Sequence, residues 1–395
     1  MENPHITERK SPRRFLAYLL FATAVFALLS IVRPKPDLIP FDYTSIASSY
    51  SGLLSGLGGF AITVLAVLLG LEAIDVEKNS ETTKVVHHAA VRHVAVSLAA
   101  ACVACFVGAN MLGEVSALSA SIEREKTSVH EQIETHLQAA GLDDAQIASS
   151  KLTLGPGPQE STFFAPTQRV QALAEQLKRD NVAKNQSAVS TLASKAKAYD
   201  RVLDASPRRH FVVASFPAFL SSFLILQSLS YLLVLRFPGH AVISRFQFGV
   251  VLTVSGILLV KLLYIATYGL TLVESLLFHG VLFALLVSLA TAYGSKLQRD
   301  LVRLKRGRDL PAVAKFTPLL PNLVGLGCCV VCNGLLAATY SDYHPLTWFD
   351  RGIVGFATIL TTSALLAIQM ERPTIEMLRE LGDQTESGGV EASFL

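Results

Sequence analysis

Charge is the scarcest ingredient of this sequence. Asp, Glu, Lys and Arg make up 16% of its 395 residues, against 51% hydrophobic, where a soluble domain carries ~25% charged residues. The deficit is local, because long charge-poor runs alternate with short charged ones. The longest run is Phe246–Ser295, in which Lys261, Glu274 and His279 are the only acidic, basic or imidazole side chains. A net charge of +3 is too small to point to a nucleic-acid partner. Cysteine is sparse too. All five cysteines sit inside apolar runs, so no disulfide framework for an outer domain is available. Recognisable Ser/His/Asp, Walker and H-E-x-x-H signatures are missing. Catalysis therefore has no positive support, and neither an enzyme nor a cofactor is expected.

What is present is membrane-spanning sequence. Phe246–Ser295 is too long for one span of ~20 residues and suits two, folded at Tyr268-Gly269. Length and scarcity of charge give eight candidate spans: Phe15–Val32, Gly52–Ile74, Val91–Leu112, Phe211–Leu235, Gln247–Ala266, Leu272–Tyr293, Pro318–Tyr340 and Gly352–Met370. All are expected to be helices, because backbone amides in lipid must bond within their own segment. A barrel would show alternating segments of about 10 residues, which this chain lacks. Arg9, Lys10, Arg13 and Arg14 precede Phe15–Val32 in the manner of a signal peptide. No convincing cleavage site follows, so the stretch reads as a first span.

Orientation follows from the basic residues of the connections. One side collects 17 Lys and Arg, seven of them between Lys296 and Lys315. The short loops of the other side carry only Arg33, Lys35 and Arg351. Both termini are therefore expected in the cytoplasm. The alanine-rich apolar composition points to a bacterial cytoplasmic (inner) membrane, with the lone Trp348 in the last outer loop.

The expected organisation is spans one to three in residues 1–113, an extracytoplasmic helical insertion in 114–210, spans four to eight in 211–370, and a cytoplasmic tail in 371–395. In the insertion, Val115, Leu118, Ile122, Val129, Ile133 and Leu137 recur at helical spacing and can simply continue the third span. Gly141 and Asp143-Asp144 punctuate this helix, and Gly155-Pro156-Gly157-Pro158 is a hard break. A second long helix is expected over Thr167–Leu203. The two apolar stripes predict a coiled-coil-like hairpin that packs on itself, on another copy or on a protein partner.

Three groups of residues are candidates for chemistry. Lys261 and Glu274 flank the Gly269 turn at depths differing by roughly 5 Å at ~1.5 Å per residue. With Tyr264 and Tyr268 on the lysine's helical face, they read as an ion or proton pathway, a structural ion pair, or a snorkelling lysine. The structural pair is preferred. In the second span, Gly52 with Gly56 and Ser55 with Gly59 form small-xxx-small pairs, preferred as close helix packing over an unwound pore helix. Cys102/Cys105 and Cys329/Cys332, with Cys328 alongside, lie at similar depth in two spans of the same direction. Four thiolates would suit zinc or copper(I). A desolvated tetrathiolate is costly, however, and neutral cysteine is an ordinary apolar filler, so no metal is expected. His87, His88, His93 and His279 are scattered, and His93 and His279 sit at different depths for haem. Asp342 and His344 read as solvated.

The leading expectation is a non-enzymatic multi-pass membrane protein whose outer helices bind a partner or sense a signal. A channel or transporter using the Lys261/Glu274 region is the second reading. A membrane metal or redox protein using the cysteines is the third.

Overall fold

A computed structural model describes residues 20, 23–24, 42–75, 81–154, 168–179, 184–236, 249, 253, 256, 260–267, 270–305, 320–338 and 347–362. Among them the elements are helical, and no strand occurs. In order they are α1 (Tyr43–Asp75), α2 (Glu81–Ala139), α3 (Asp144–Leu154), α4 (Arg169–Arg179), α5 (Gln186–Leu203), α6 (Arg208–Arg236), α7 (Leu272–Lys305) and α8 (Leu320–Ala338). Helical stretches 260–267 and 348–362 flank α7 and follow α8.

Four segments are long and apolar enough to cross a membrane: Tyr43–Leu68, Val94–Ala139, Gln186–Leu226 and Leu272–Leu289. Asn322–Ala337 is apolar but shorter. The chain is thus compatible with a membrane protein. Most of the expected span at 15–32, half of that at 247–266 and part of 352–370 lie outside the described residues.

Helix α1 begins at Asp42, whose carboxylate accepts the Ser45 amide at 3.0 Å, and it carries no charge before Glu72. It packs antiparallel on α2. Ser116 Oγ donates to Thr44 O at 3.2 Å, Ser51 Oγ donates to Ala109 O at 2.8 Å, and Cys102 Sγ lies 3.9 Å from Gly58 O. Evenly stepped contacts of this kind fix the register of the two helices. Helix α6 closes on α2 from another side. A Cβ at Gly108 would lie 3.0 Å from the Ala218 amide nitrogen and 3.1 Å from Leu54 Cδ1, so only glycine lets the two backbones approach here. The contact falls beside Pro217, inside α6.

Helix α2 is a single helix of 59 residues, roughly 90 Å long at ~1.5 Å per residue. A hydrocarbon core is ~30 Å thick, so most of α2 lies beyond any one crossing. It ends where expected, at Gly141 with φ +81°, a left-handed position that favours glycine.

Past the apolar half of α2, the 114–210 stretch departs from the expected pair of long helices. Its described residues hold the end of α2, then α3, α4 and α5. The predicted helix Thr167–Leu203 is interrupted. Asn185 caps α5 by accepting the Ser187 amide at 3.1 Å, and its own N–H donates to Ala140 O at 3.2 Å. The apolar period runs through the break, so periodicity alone could not reveal it. Helix α3 starts with a reciprocal cap, Asp143 N–H to Gln146 Oε1 at 3.0 Å and Gln146 N–H to Asp143 Oδ1 at 2.8 Å. The Gly155–Pro158 break lies outside the described residues.

These pieces form a distal bundle with its own core. Val129, Ile133 and Leu137 of α2 meet Val170, Leu173 and Leu177 of α4 and Val189, Leu192 and Ala196 of α5. The buried Asp200 of α5 caps α4 from outside, accepting the Val170 amide at 2.9 Å and the Gln171 amide at 3.4 Å. Burial holds its carboxyl above the usual range, and the two amides offset part of that rise. Beside it, Arg169 Nη2 pairs with Asp204 Oδ1 at 2.8 Å.

An elbow at 204–207 joins α5 to α6. Ser206 Oγ accepts the Arg208 amide at 3.3 Å, and Pro207 stands at the entry to α6, where its missing N–H costs nothing. Ala205 is buried with Leu118 and Ile122 of α2.

The glycine geometry yields a test. Gly108→Leu should destabilise the full chain by about 1–3 kcal/mol, the usual range for overpacking. Gly56→Leu should leave it unchanged, because a Cβ at Gly56 meets nothing within 4 Å. Thermal unfolding of both variants in detergent checks this, and equal losses would contradict it.

Candidate functional site

Three N-termini gather at one end of the apolar helices: those of α6, α7 and stretch 348–362. Two carry matching side-chain caps. At α7, Thr271 N–H and Oγ1 donate to Glu274 Oε2 at 2.9 and 2.8 Å. At the last stretch, Thr347 N–H and Oγ1 donate to Asp350 Oδ2 at 2.9 and 2.7 Å. Each acidic residue lies three positions after its threonine, so it satisfies amide hydrogens that the helix itself leaves open. A carboxylate also suits the positive end of a helix dipole.

Asp350 has a further partner. Arg209, in the first turn of α6, donates from Nε to the same Oδ2 at 2.9 Å. The two side chains are 7% and 0% exposed. Arg209 Nη1 and Asp350 Oδ1 are buried as well and make no hydrogen bond within the described structure. Next in sequence, the buried Arg351 donates from Nη1 to Ala266 O, at the C-terminal end of stretch 260–267, where a cation complements the dipole. Glu274, Asp350 and Arg208 are the charges acting on Arg351. The buried His210 lies within electrostatic reach of Arg209 and Asp350. On α7, the buried His279 meets Ser275 Oγ at 3.3 Å, and Phe278 stacks obliquely on Trp348 with centroids 6.1 Å apart. One polar hub thus ties α6, α7, 260–267 and 348–362 together.

The residues singled out from sequence are distributed differently. Glu274 is used in the α7 cap, and Lys261 is exposed on the outer face of its helix. Among the described ion pairs none joins the two. Tyr264 is partly buried and Tyr268 lies outside the described residues. Within the chain Gly52, Gly56 and Gly59 would meet no atom if given a Cβ, and Ser55 Oγ turns back to Ser51 O at 3.0 Å. The glycine of α1 that faces α2 is Gly58, whose Cβ would lie 3.2 Å from Cys105 Cβ. A small-residue pattern gives a face but not its neighbour, which is why the choice between these glycines was not readable.

All five cysteines are free. Cys102 and Cys105 pack against α1 and α6, and Cys329 and Cys332 are buried on α8. Among the described residues no three His, Cys, Asp or Glu side chains gather closely enough for a metal ion. The side chains of His87, His88 and His93, and all of Asp342 and His344, lie outside the described residues.

Sequence reasoning missed Arg209, Asp350 and His210 and counted Arg351 only among the charges of a short outer loop. All four stand immediately beside expected spans, where flanking charge is the ordinary reading. The threonine-x-x-acid spacing, present at 271–274 and 347–350, was the available signal.

A second polar contact lies in the distal bundle. Tyr199 Oη donates to Gln132 Oε1 at 3.2 Å and lies 3.3 Å from His136 Nε2, joining α5 to α2.

No family model, curated protein or solved structure matches this chain.

The hub predicts how charge removal will behave. Arg209→Gln or Asp350→Asn alone should cost about 3–5 kcal/mol, because each leaves a lone buried charge. Arg209→Gln combined with Asp350→Asn should recover most of that loss. Lys261→Met and Glu274→Gln, in contrast, should combine additively. Unfolding of the four single and two double variants in detergent measures both couplings. Additivity at 209/350 would show that the first pair does not interact.

His136 predicts a pH response. Burial, and then the nearby Lys195, hold its imidazole below the ordinary value. The unfolded chain therefore binds the proton more tightly. The histidine's contribution is complete above about pH 6.5 and falls as pH drops toward the depressed folded value. Protection of α5 amides, corrected for intrinsic exchange, should fall between about pH 7.5 and about pH 5.5. His136→Gln should flatten that dependence, and an unchanged slope in the variant would remove His136 as the cause.

Proposed function

We propose that this chain is a non-enzymatic multi-pass membrane protein whose distal bundle lies outside the membrane and receives a signal or binds a partner. The observation that carries this reading is where apolar side chains are exposed. Among the described residues, large exposed hydrophobics such as Phe60, Phe106, Leu226, Val281 and Val330 occur up to residue 106 and from residue 226 onward. None occurs among the described residues of 114–210, while 211–225 are covered by neighbouring apolar helices. Lipid covers apolar side chains without cost, whereas water does not, which supports a bilayer around the first set and a water-facing unit within 114–210. Helix α2 crosses from one to the other without a break, which makes the bundle a continuation of the spans and no tethered accessory.

In this reading the chain has eight spans and an outer helical insertion, with both termini in the cytoplasm of a bacterial inner membrane. The basic-residue bias supports that orientation. The bundle's apolar stripes close on one another, so a partner or a second copy would be recognised by polar chemistry. The transport alternative rests on Lys261, whose exposed position on its helix favours lipid-boundary snorkelling over a lined pathway.

Ser187→Cys, in a chain lacking the native cysteines, should react with an impermeant maleimide on intact cells. Gly307→Cys should react only after permeabilisation. Reversed labelling would overturn the topology. A photo-reactive residue at Ser128 or Glu131 of α2, on the polar face of the bundle, should give a discrete cross-link in native membranes. Failure at both positions, together with solute flux through proteoliposomes that Lys261→Met abolishes, would replace the proposal with the transport reading.

A further inference from the structure

We propose that the Arg209–Asp350 pair is a latch through which the distal bundle sets the position of helix 348–362. The argument follows the contacts outward. In the bundle, Arg169 of α4 grips Asp204 at 2.8 Å. Asp204 is the C-cap of α5 and its N–H returns to Asp200 O and Val202 O, so the ion pair holds the end of α5 and the start of the elbow. The elbow has little freedom. Ala205 is buried against α2, Ser206 bonds the Arg208 amide, and Phe211 N–H bonds Pro207 O at 3.0 Å.

Five residues after Asp204, Arg209 reaches out of α6 to Asp350. Arg209 Nε and both donors of Thr347 end on one oxygen of that carboxylate, Oδ2. Moving Arg209 therefore disturbs the cap of the last helix directly. Arg351 then passes the displacement to Ala266 O. Both members of the pair are buried, so separating them would strand two charges in a low-dielectric interior. That cost makes the joint stiff: a shift of the elbow carries the last helix with it. Outside this chain of contacts the bundle reaches the membrane helices through α2, which does not contact Asp350 in any described hydrogen bond.

The inference rests on the sensing reading for its purpose, but the coupling exists or fails without any signal. The test uses the full chain, its native cysteines replaced by Ala, in lipid nanodiscs. A single thiol is introduced by Gly352→Cys, where a Cβ meets nothing within 4 Å. A control thiol is introduced by Gly52→Cys, which is equally unobstructed and lies off the contact chain. The readout is the rate of modification by a water-soluble maleimide.

Arg169→Gln should raise the rate at position 352 by roughly 2- to 30-fold, the range seen for residues in a coupled network, and leave position 52 unchanged. In the background of Arg209→Gln with Asp350→Asn, the same Arg169→Gln change should have no effect at 352. Asp204→Asn serves as the second way to release the elbow, should Arg169→Gln fail to fold. An equal rise in both backgrounds, a parallel rise at position 52, or no rise at all would overturn the latch. Such a result would leave the bundle's exposure and any cross-link intact, so the two readings fail separately.

Discussion

A charge buried among apolar helices has to find its opposite, and that requirement organises one end of this protein. Arg209 and Asp350 lie 141 residues apart in sequence, yet neither can stay ionised and buried without the other. The carboxylate also completes the cap of the helix it begins. One group thus meets two obligations, the open amides of a helix start and the charge of an arginine from another helix. Buried pairs of this kind often add no more stability than an apolar contact of similar volume. The pair disfavours other registers of α6 against stretch 348–362, since a slip would strand two buried charges. Arg351 applies the same logic one residue on, placing its cation at the carbonyl end of 260–267.

The remainder of the membrane-compatible layer is held by close approach and needs no charge. Lipid tails are as apolar as leucine, so helices there gain little by burying hydrocarbon and gain most where backbones come close. Gly108 against the Ala218 backbone is such a place, and Gly325 and Gly355 make room for the side chains of Leu220 and of Leu282 and Phe278. Serine adds local bonds: Ser51 and Ser116 reach carbonyls of the neighbouring helix, and Asn322 donates to Ser97 Oγ at 3.1 Å between α8 and α2. The distal bundle follows the opposite rule. Its Val, Leu and Ile stripes converge on an internal core.

That contrast explains what was legible in the sequence. Helical periodicity and charge scarcity are local properties. They give the helical class, the continuation of α2 past its apolar half and its stop at Gly141. The division of 167–203 into two helices was hidden because the stripe keeps its period across Asn185, and the break depends on Ala140, 45 residues upstream. Glu274 looked like a partner for Lys261 because a mid-run charge invites pairing. Thr271 satisfies it over three residues instead, a spacing visible in the sequence. Gly52, Ser55, Gly56 and Gly59 were visible as a face, but which face meets α2 is a tertiary choice, and Gly58 holds it. Arg209 and Asp350 looked like ordinary flanking charge because burial is decided by which span ends are neighbours, and one sequence does not contain that information.

The closed core of the bundle bears on what it can recognise. Had its stripes stayed open, an apolar partner helix or a second copy would be the natural occupant. With Val129, Ile133 and Leu137 already seated against α4 and α5, the surface that remains is charged and hydroxylic, with Glu123, Arg124, Thr127, Ser128 and Glu131 along one side of α2. Recognition there would depend on charge and hydrogen bonding, and so would weaken with salt. In the proposed reading, a unit that recognises weakly and acts on membrane helices would need stiff connections. Unbroken helix in α2 supplies one. The elbow, pinned by Arg169 on one side and by Asp350 on the other, supplies the second, and two connections resist a tilt of the bundle in a way that a single helix cannot.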